Sequence, residues 1–178
     1  GTRIDAELAA MEPNQTLAGL TSRLVERIDR ALADLSPDMV LVQGDTTTVF
    51  AMALNCFYRK VPFAHVEAGL RSGDMRSPFP EEMNRVFASC LATLHFSPTT
   101  RARENLIREG IPSESIFVTG NTVIDALLEH AAGIRSDAGA TGRRMVLVTV
   151  HRRENFGPPL DNICDAVLEL NETVPDLA

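Results

Sequence analysis

Residues 39–67 read MVLVQGDTTTVFAMALNCFYRKVPFAHVE. A short, uniformly apolar run, MVLVQG, gives way to capping residues and a helical pattern, DTTTVFAMALNCFYR, and then to a second apolar run, VPFAHVE. Apolar runs that do not alternate with polar residues are the kind of strand buried on both faces of a parallel sheet. Two of them joined by a helix make one βαβ unit with a right-handed crossover. The stretch therefore sets the class as α/β.

The alternation continues on both sides. Upstream, Gln15 to Leu35 places Leu17, Leu20, Leu24, Ile28, Ala31 and Leu35 three and four residues apart, an amphipathic helix stopped by Ser36-Pro37-Asp38. Downstream, a mobile-looking loop from Gly69 to Phe79 precedes a helix running from Pro80 to about Leu94. Then come a strand at LHFSP, a helix at TTRARENLIREG closed by Gly110, a strand at SIFVTG and a helix at NTVIDALLEHA. AGIRSDAGATGRR reads as a linker, MVLVTV (145–150) as another buried strand, and Leu160 to Leu170 as a helix. The expected fold is a doubly wound, Rossmann-like parallel sheet.

A chain of 178 residues holds one ordinary domain or parts of two. Both ends look cut, so a fragment is expected. Hydrophobic content of 44% and charged content of 23% suit a globular protein with a core. A net charge of −7 argues against a sequence-independent nucleic-acid binder, which needs a basic face for phosphates. A small anionic ligand held by local arginines stays compatible with it. Cys56, Cys90 and Cys164 lack the spacing of a disulfide framework or a zinc site and read as reduced, buried thiols. No run approaches a membrane span, and the N-terminus carries no signal-peptide pattern.

In doubly wound folds ligands sit beyond the carboxyl ends of the strands. Four groups stand there: Gly44-Asp45-Thr46, Glu67-Ala68-Gly69, Gly120-Asn121-Thr122 and His151-Arg152-Arg153-Glu154. Asp45 reads equally well as a cap for the next helix. Glu67 begins no helix, so it is either paired with an arginine or kept for proton transfer. Glu81 and Glu82 open a helix, where the dipole favours acids, and Glu82 in particular reads as ordinary first-turn charge. His95 and His130 read as structural, and His65, within a strand, is left out. The chain lacks a dinucleotide glycine motif, a P-loop, a nucleophile elbow and metal-ligand spacing. Asp45, Glu67 and Glu81 on one edge, with arginines and a histidine near, suit acid/base chemistry on an anionic substrate with no cofactor and no metal.

Four strings in register are more specific: VLVQGDTTTVFAMAL, HVEAGLRSGDMRSPFPEEMNR, VTGNTVIDAL and VTVHRREN. Together they resemble the bacterial-type, non-hydrolysing UDP-N-acetylglucosamine 2-epimerases, and the resemblance runs through essentially the whole chain. It implies two Rossmann-like domains facing across a cleft, as in GT-B glycosyltransferases. Residues 1–121 would be the remainder of the N-terminal domain, and residues 122–178 the hinge and the start of the C-terminal, UDP-binding domain.

By the same resemblance, the reaction interconverts UDP-N-acetylglucosamine and UDP-N-acetylmannosamine through elimination of UDP to 2-acetamidoglucal and re-addition. Asp45, Glu67 and Glu81 match the catalytic carboxylates. His151 and Arg152 would face the leaving UDP, and Arg85 would be the electrostatic partner of Glu81. A cytoplasmic homodimer is implied, with UDP-N-acetylglucosamine as substrate and, in bacterial members, also as activator. The isolated chain is expected to turn over little. A hydrolysing epimerase, a GT-B-type glycosyltransferase and a binding-only fragment are the alternatives.

Overall fold

The computed structural model describes residues 3–133, 145–150 and 156–175. The chain divides into two compact units, residues 1–127 and 128–178. The first contains α1 (Leu17–Leu35), β1 (Val40–Gln43), α2 (Thr47–Arg59), β2 (Phe63–Val66), α3 (Glu81–Leu91), β3 (Leu94–Ser97), α4 (Thr100–Arg108) and β4 (Ile116–Val118). α5 (Thr122–Ala131) begins in it. The four strands pair in parallel in the order β1-β2-β3-β4, so the chain is α/β with a parallel sheet.

Local chemistry sets the ends of the elements. Thr16 caps α1, its hydroxyl accepting from Gly19 N at 3.0 Å. The helix closes at Ser36, in the left-handed region at φ 44°, whose N–H returns to Leu32 O. Leu24, Ile28 and Leu32 are its buried stripe, whereas Leu35, expected on it, is exposed. α3 ends at Leu91, earlier than expected, because Ala92 turns extended and Leu94 joins the sheet opposite Ala64.

Residues paired across parallel strands share a face, so Val40, Val42, Phe63 and His65 lie on one side of the sheet. There Phe63 packs into a cluster with Leu24, Ile28, Leu32, Val49, Cys56 and Ala88 from the first three helices. Burying a side chain of that size contributes about 1.5–3 kcal/mol. On the opposite side Leu41 is 63% exposed and Phe117 47% exposed. Among the described residues, no helix is long and apolar enough to cross a membrane.

Two expectations need correction. Residues 145–150 form no strand, and Leu147 is 87% exposed. A buried strand requires neighbours to take its backbone N–H and C=O groups, and the described residues of the second unit contain none. Val148 and Val150 instead line an apolar groove of about 380 Å³ with Leu160, Ile163 and Val167 of α6 (Pro158–Thr173). Of the cysteines only Cys56 is buried, and burial pushes its thiol up to about 11. Cys90 and Cys164 are exposed and free.

Among the described glycines, Gly69 makes the closest backbone approach. It has φ +87°, and a Cβ there would stand 2.2 Å from Ala102 O in α4. Asn105 Nδ2 donates to Gly69 O at 2.8 Å and holds the approach. Gly73 has nearly the same φ, +84°, but open space around it. In the intact protein Gly69→Ala should cost at least about 2 kcal/mol from left-handed strain and overpacking together, and Gly73→Ala about 1 kcal/mol. Urea midpoints measure both; equal shifts would contradict the close-approach account.

Candidate functional site

The carboxyl ends of β1 and β2 are tied together by Gly44 N, which donates to Val66 O at 3.1 Å. Gly44, at φ +90°, turns the chain so that Asp45 stands beyond β1. Glu67 follows β2 directly, with φ +70°. A non-glycine residue held there costs of order 1 kcal/mol and marks a backbone constrained by its surroundings. The next N–H, of Ala68, is bound to Phe96 O at 3.0 Å, which fixes the turn. Glu67 Oε2 lies beside Gly44, 3.9 Å from where a Cβ would be. Asp45 and Glu67 are thus brought to adjacent strand ends.

Asp45 does not serve as a cap. α2 starts after Thr46, with no side-chain capping bond. The Asp45 carboxylate is held by Arg85, whose Nε and Nη2 both donate to Oδ2, at 2.9 and 2.6 Å. Arg85 Nη1 donates to Glu82 Oε2 at 3.1 Å. The partner expected for Arg85, Glu81, receives none of these bonds. Glu81 opens α3, partly exposed, on the same helical face as Arg85 one turn on.

Glu82 is the carboxylate that sequence reading misjudged. It is 2% exposed, not a surface charge. Its Oε1 accepts from Ser72 N at 2.9 Å and Gly73 N at 3.0 Å, while Oε2 takes Arg85. Burial alone would raise its pKa, but the Gly73 N–H, Arg85 and the Ser72 N–H outweigh it and hold the group below the usual carboxylate value. Its first-turn position suggested the dipole as sufficient reason, and nothing local announces that a loop ten residues earlier folds back onto it.

That loop is correspondingly less free than expected. Arg71 donates to Glu109 through Nε and Nη2, both at 2.7 Å, to Ser89 Oγ at 2.9 Å and to Leu70 O at 2.8 Å. The first half of the loop is pinned by α3 and α4, whereas Met75 and Phe79 stay exposed. A cavity of about 460 Å³ beside it is lined by Arg71, Ser72, Glu82, Arg101 and Asn105; Asp45, Glu67 and Glu81 lie outside it.

The third strand-end group also arrives: Thr122 Oγ1 accepts from Gln43 Nε2 at 3.0 Å, joining the start of α5 to the end of β1. The fourth, with His151 and Arg152, lies outside the described residues. His65, left out of the reading, is fully buried with Nε2 2.7 Å from Gly44 O. His95 lies inside β3, buried, with Nε2 3.1 Å from Ser89 O.

Because the folded pKa of Glu82 is lowered, its contribution to stability is complete above the unfolded value, near 4.5, and is lost as pH falls through the folded value. Glu82→Gln should be less stable at neutral pH by about 1–3 kcal/mol. Its urea midpoint should also fall less steeply than that of the unmutated protein below about pH 4.5. Parallel midpoint curves would contradict the role of Glu82.

The geometry can be set beside known proteins. The model of the UDP-N-acetylglucosamine 2-epimerase family matches residues 2–178. The UDP-N-acetylglucosamine 2-epimerase of Salmonella typhimurium is 48% identical over 178 residues, which cover 93% of this chain and 47% of that protein. A crystal structure of UDP-GlcNAc 2-epimerase from Neisseria meningitidis bound to UDP-GlcNAc superposes with TM-score 0.92 at 41% identity, covering 99% of this chain and 50% of that one. The Methanocaldococcus jannaschii UDP-GlcNAc 2-epimerase in complex with UDP-GlcNAc and UDP gives TM-score 0.83 at 37% identity, covering 96% and 48%. The chain spans about half the length of the relatives it matches. Over that half, sequence and fold agree, and the chain belongs to the UDP-N-acetylglucosamine 2-epimerase family.

Proposed function

We propose that the protein containing this chain is a non-hydrolysing epimerase that interconverts UDP-N-acetylglucosamine and UDP-N-acetylmannosamine. The observation that carries this reading is the pair of carboxylates on adjacent strand ends. Asp45 is held by Arg85, and Glu67 stands in a strained turn beside Gly44. Relatives with UDP-GlcNAc bound superpose on this segment, which supports a nucleotide-sugar substrate.

The C2 proton of the sugar has no neighbouring carbonyl, so a carbanion there would be too costly to form directly. Elimination avoids it. A base takes the C2 proton while the C1–O bond to UDP breaks, leaving a C1=C2 double bond in 2-acetamidoglucal. In the return step a UDP oxygen adds to C1 and a proton is delivered to the opposite face of C2. The cycle needs two proton-transfer groups and a cationic surface for the departing diphosphate. Asp45 and Glu67 fill the first role, with Glu81 assisting proton transfer or positioning the sugar. His151 and Arg152 fill the second. Arg85 supports the reaction electrostatically through Asp45.

Under this reading residues 1–121 belong to an N-terminal catalytic domain of a GT-B-like protein. Residues 122–178 form the hinge and the start of a UDP-binding domain. The protein works as a cytoplasmic homodimer, and a second UDP-N-acetylglucosamine acts as activator.

The test is exchange at C2. The intact protein, incubated with UDP-N-acetylglucosamine in deuterated water, should incorporate deuterium and yield UDP-N-acetylmannosamine. Asp45→Asn and Glu67→Gln should each lower exchange by at least about 100-fold while thermal melting confirms folding. Free N-acetylmannosamine among the chromatographed products would indicate the hydrolysing reaction instead, and full activity in both variants would remove the site assignment.

A further inference from the structure

The turn that carries Asp45 is held from outside its own strand. Its two carbonyls, Gly44 O and Asp45 O, each meet a buried side chain from another element. His65 Nε2, from β2, lies 2.7 Å from Gly44 O. Asn84 Nδ2, from α3, donates to Asp45 O at 2.8 Å. Both residues are fully buried or nearly so.

The chemistry of the His65 contact is determined. A carbonyl only accepts, so Nε2 carries the proton. Burial, the leading influence, draws the ring below its ordinary pKa, which favours the neutral form with Nε2–H. The ring lies nearly parallel to Phe63, with centroids 6.0 Å apart and planes at 23°, inside the core. Among the described residues its other nitrogen, Nδ1, has no hydrogen-bond partner. The bond to Gly44 is therefore the polar contact that offsets burial of the imidazole.

Gly44 needs such a restraint. At φ +90° and without a side chain, it leaves the direction of Asp45 open to small backbone rotations. Arg85 pulls the Asp45 carboxylate toward α3 through Oδ2. The His65 bond, from β2, fixes the backbone against that pull, while the Asn84 bond holds the Asp45 carbonyl from α3.

We propose that His65 is a positioning residue for proton transfer at Asp45: its Nε2–H holds the Gly44 carbonyl and so fixes the turn that aims the Asp45 carboxylate. This inference rests on the reading of Asp45 as an acid/base group of the epimerase. A displacement of about 1 Å at a reacting group can cost on the order of 100-fold in rate, so the bond acts mainly on the chemical step.

The experiment compares His65→Phe, His65→Gln and His65→Asn in the intact protein, with kcat and KM measured for UDP-N-acetylglucosamine and melting followed in parallel. Phe keeps the ring stacked on Phe63 but donates nothing; it should lower kcat about 10- to 100-fold with KM changed less than about threefold. Gln places an amide N–H at similar reach and should return kcat to within about fivefold of the unmutated protein, whereas the shorter Asn should not. The Gln–Asn comparison decides the matter even where Phe does not fold. Equal kcat in Gln and Asn, or kcat in Phe within about twofold of the unmutated value, would overturn the proposal. Absence of C2 exchange in the unmutated protein would overturn the epimerase reading along with it. Exchange present there and undiminished in the Phe variant overturns this inference alone.

Discussion

A single guanidinium joins the parts of the site. Arg85 on α3 reaches Asp45 beyond β1 and Glu82 on its own first turn, and Glu82 in turn holds the backbone of Ser72 and Gly73. Helix, strand end and loop are thereby fastened at one point. Two carboxylates near one arginine would repel each other without it. With it, each charge has a partner, and Glu82 has backbone donors as well. Removing Arg85 takes the charged partner from both carboxylates at once, so the triad is a constraint on the fold before it is a feature of the chemistry.

The same arrangement divides labour among the acidic residues. Glu82 is fully engaged and buried, which suits it to hold structure. Asp45 gives Arg85 only Oδ2. Glu67 has no salt-bridge partner among the described residues and occupies a left-handed backbone position that a glycine would fill more easily. Such a backbone position persists only where the surroundings over-determine it, here through the Ala68 N–H bond to Phe96 O. The helix start at Pro80 and the loop before it bring Glu81 to the same helical face as Arg85.

Much of the fold could be read in advance because its determinants are local. The apolar runs at 40–43 and 63–66 pair as parallel strands, and the helix between them begins after the extended Thr46 and ends at the left-handed Lys60. Where the reading failed, the missing information lay elsewhere in space. The run at 145–150 has strand-like composition, but a strand exists only through its neighbours, and none stands beside it among the described residues. The loop from Gly69 to Phe79 looked free because its restraints, Glu109, Ser89 and Glu82, lie between 9 and 38 residues away in sequence. His65 looked like one more residue of a strand because its hydrogen-bond partner is a carbonyl in the turn just beyond the neighbouring one.

By itself the sequence determined the α/β class, the extent of most elements, and the placing of Asp45 and Glu67 at strand ends. These follow from periodicity and from capping, which act over a few residues, and from the rule that strand ends face ligands. Its motifs carried the family as well. Only the tertiary structure decided which of two adjacent glutamates is buried, which carboxylates Arg85 serves, and what holds the Asp45 turn. Each of those depends on the desolvation of a charged or polar group and on partners supplied by another element, and neither quantity is written in local sequence.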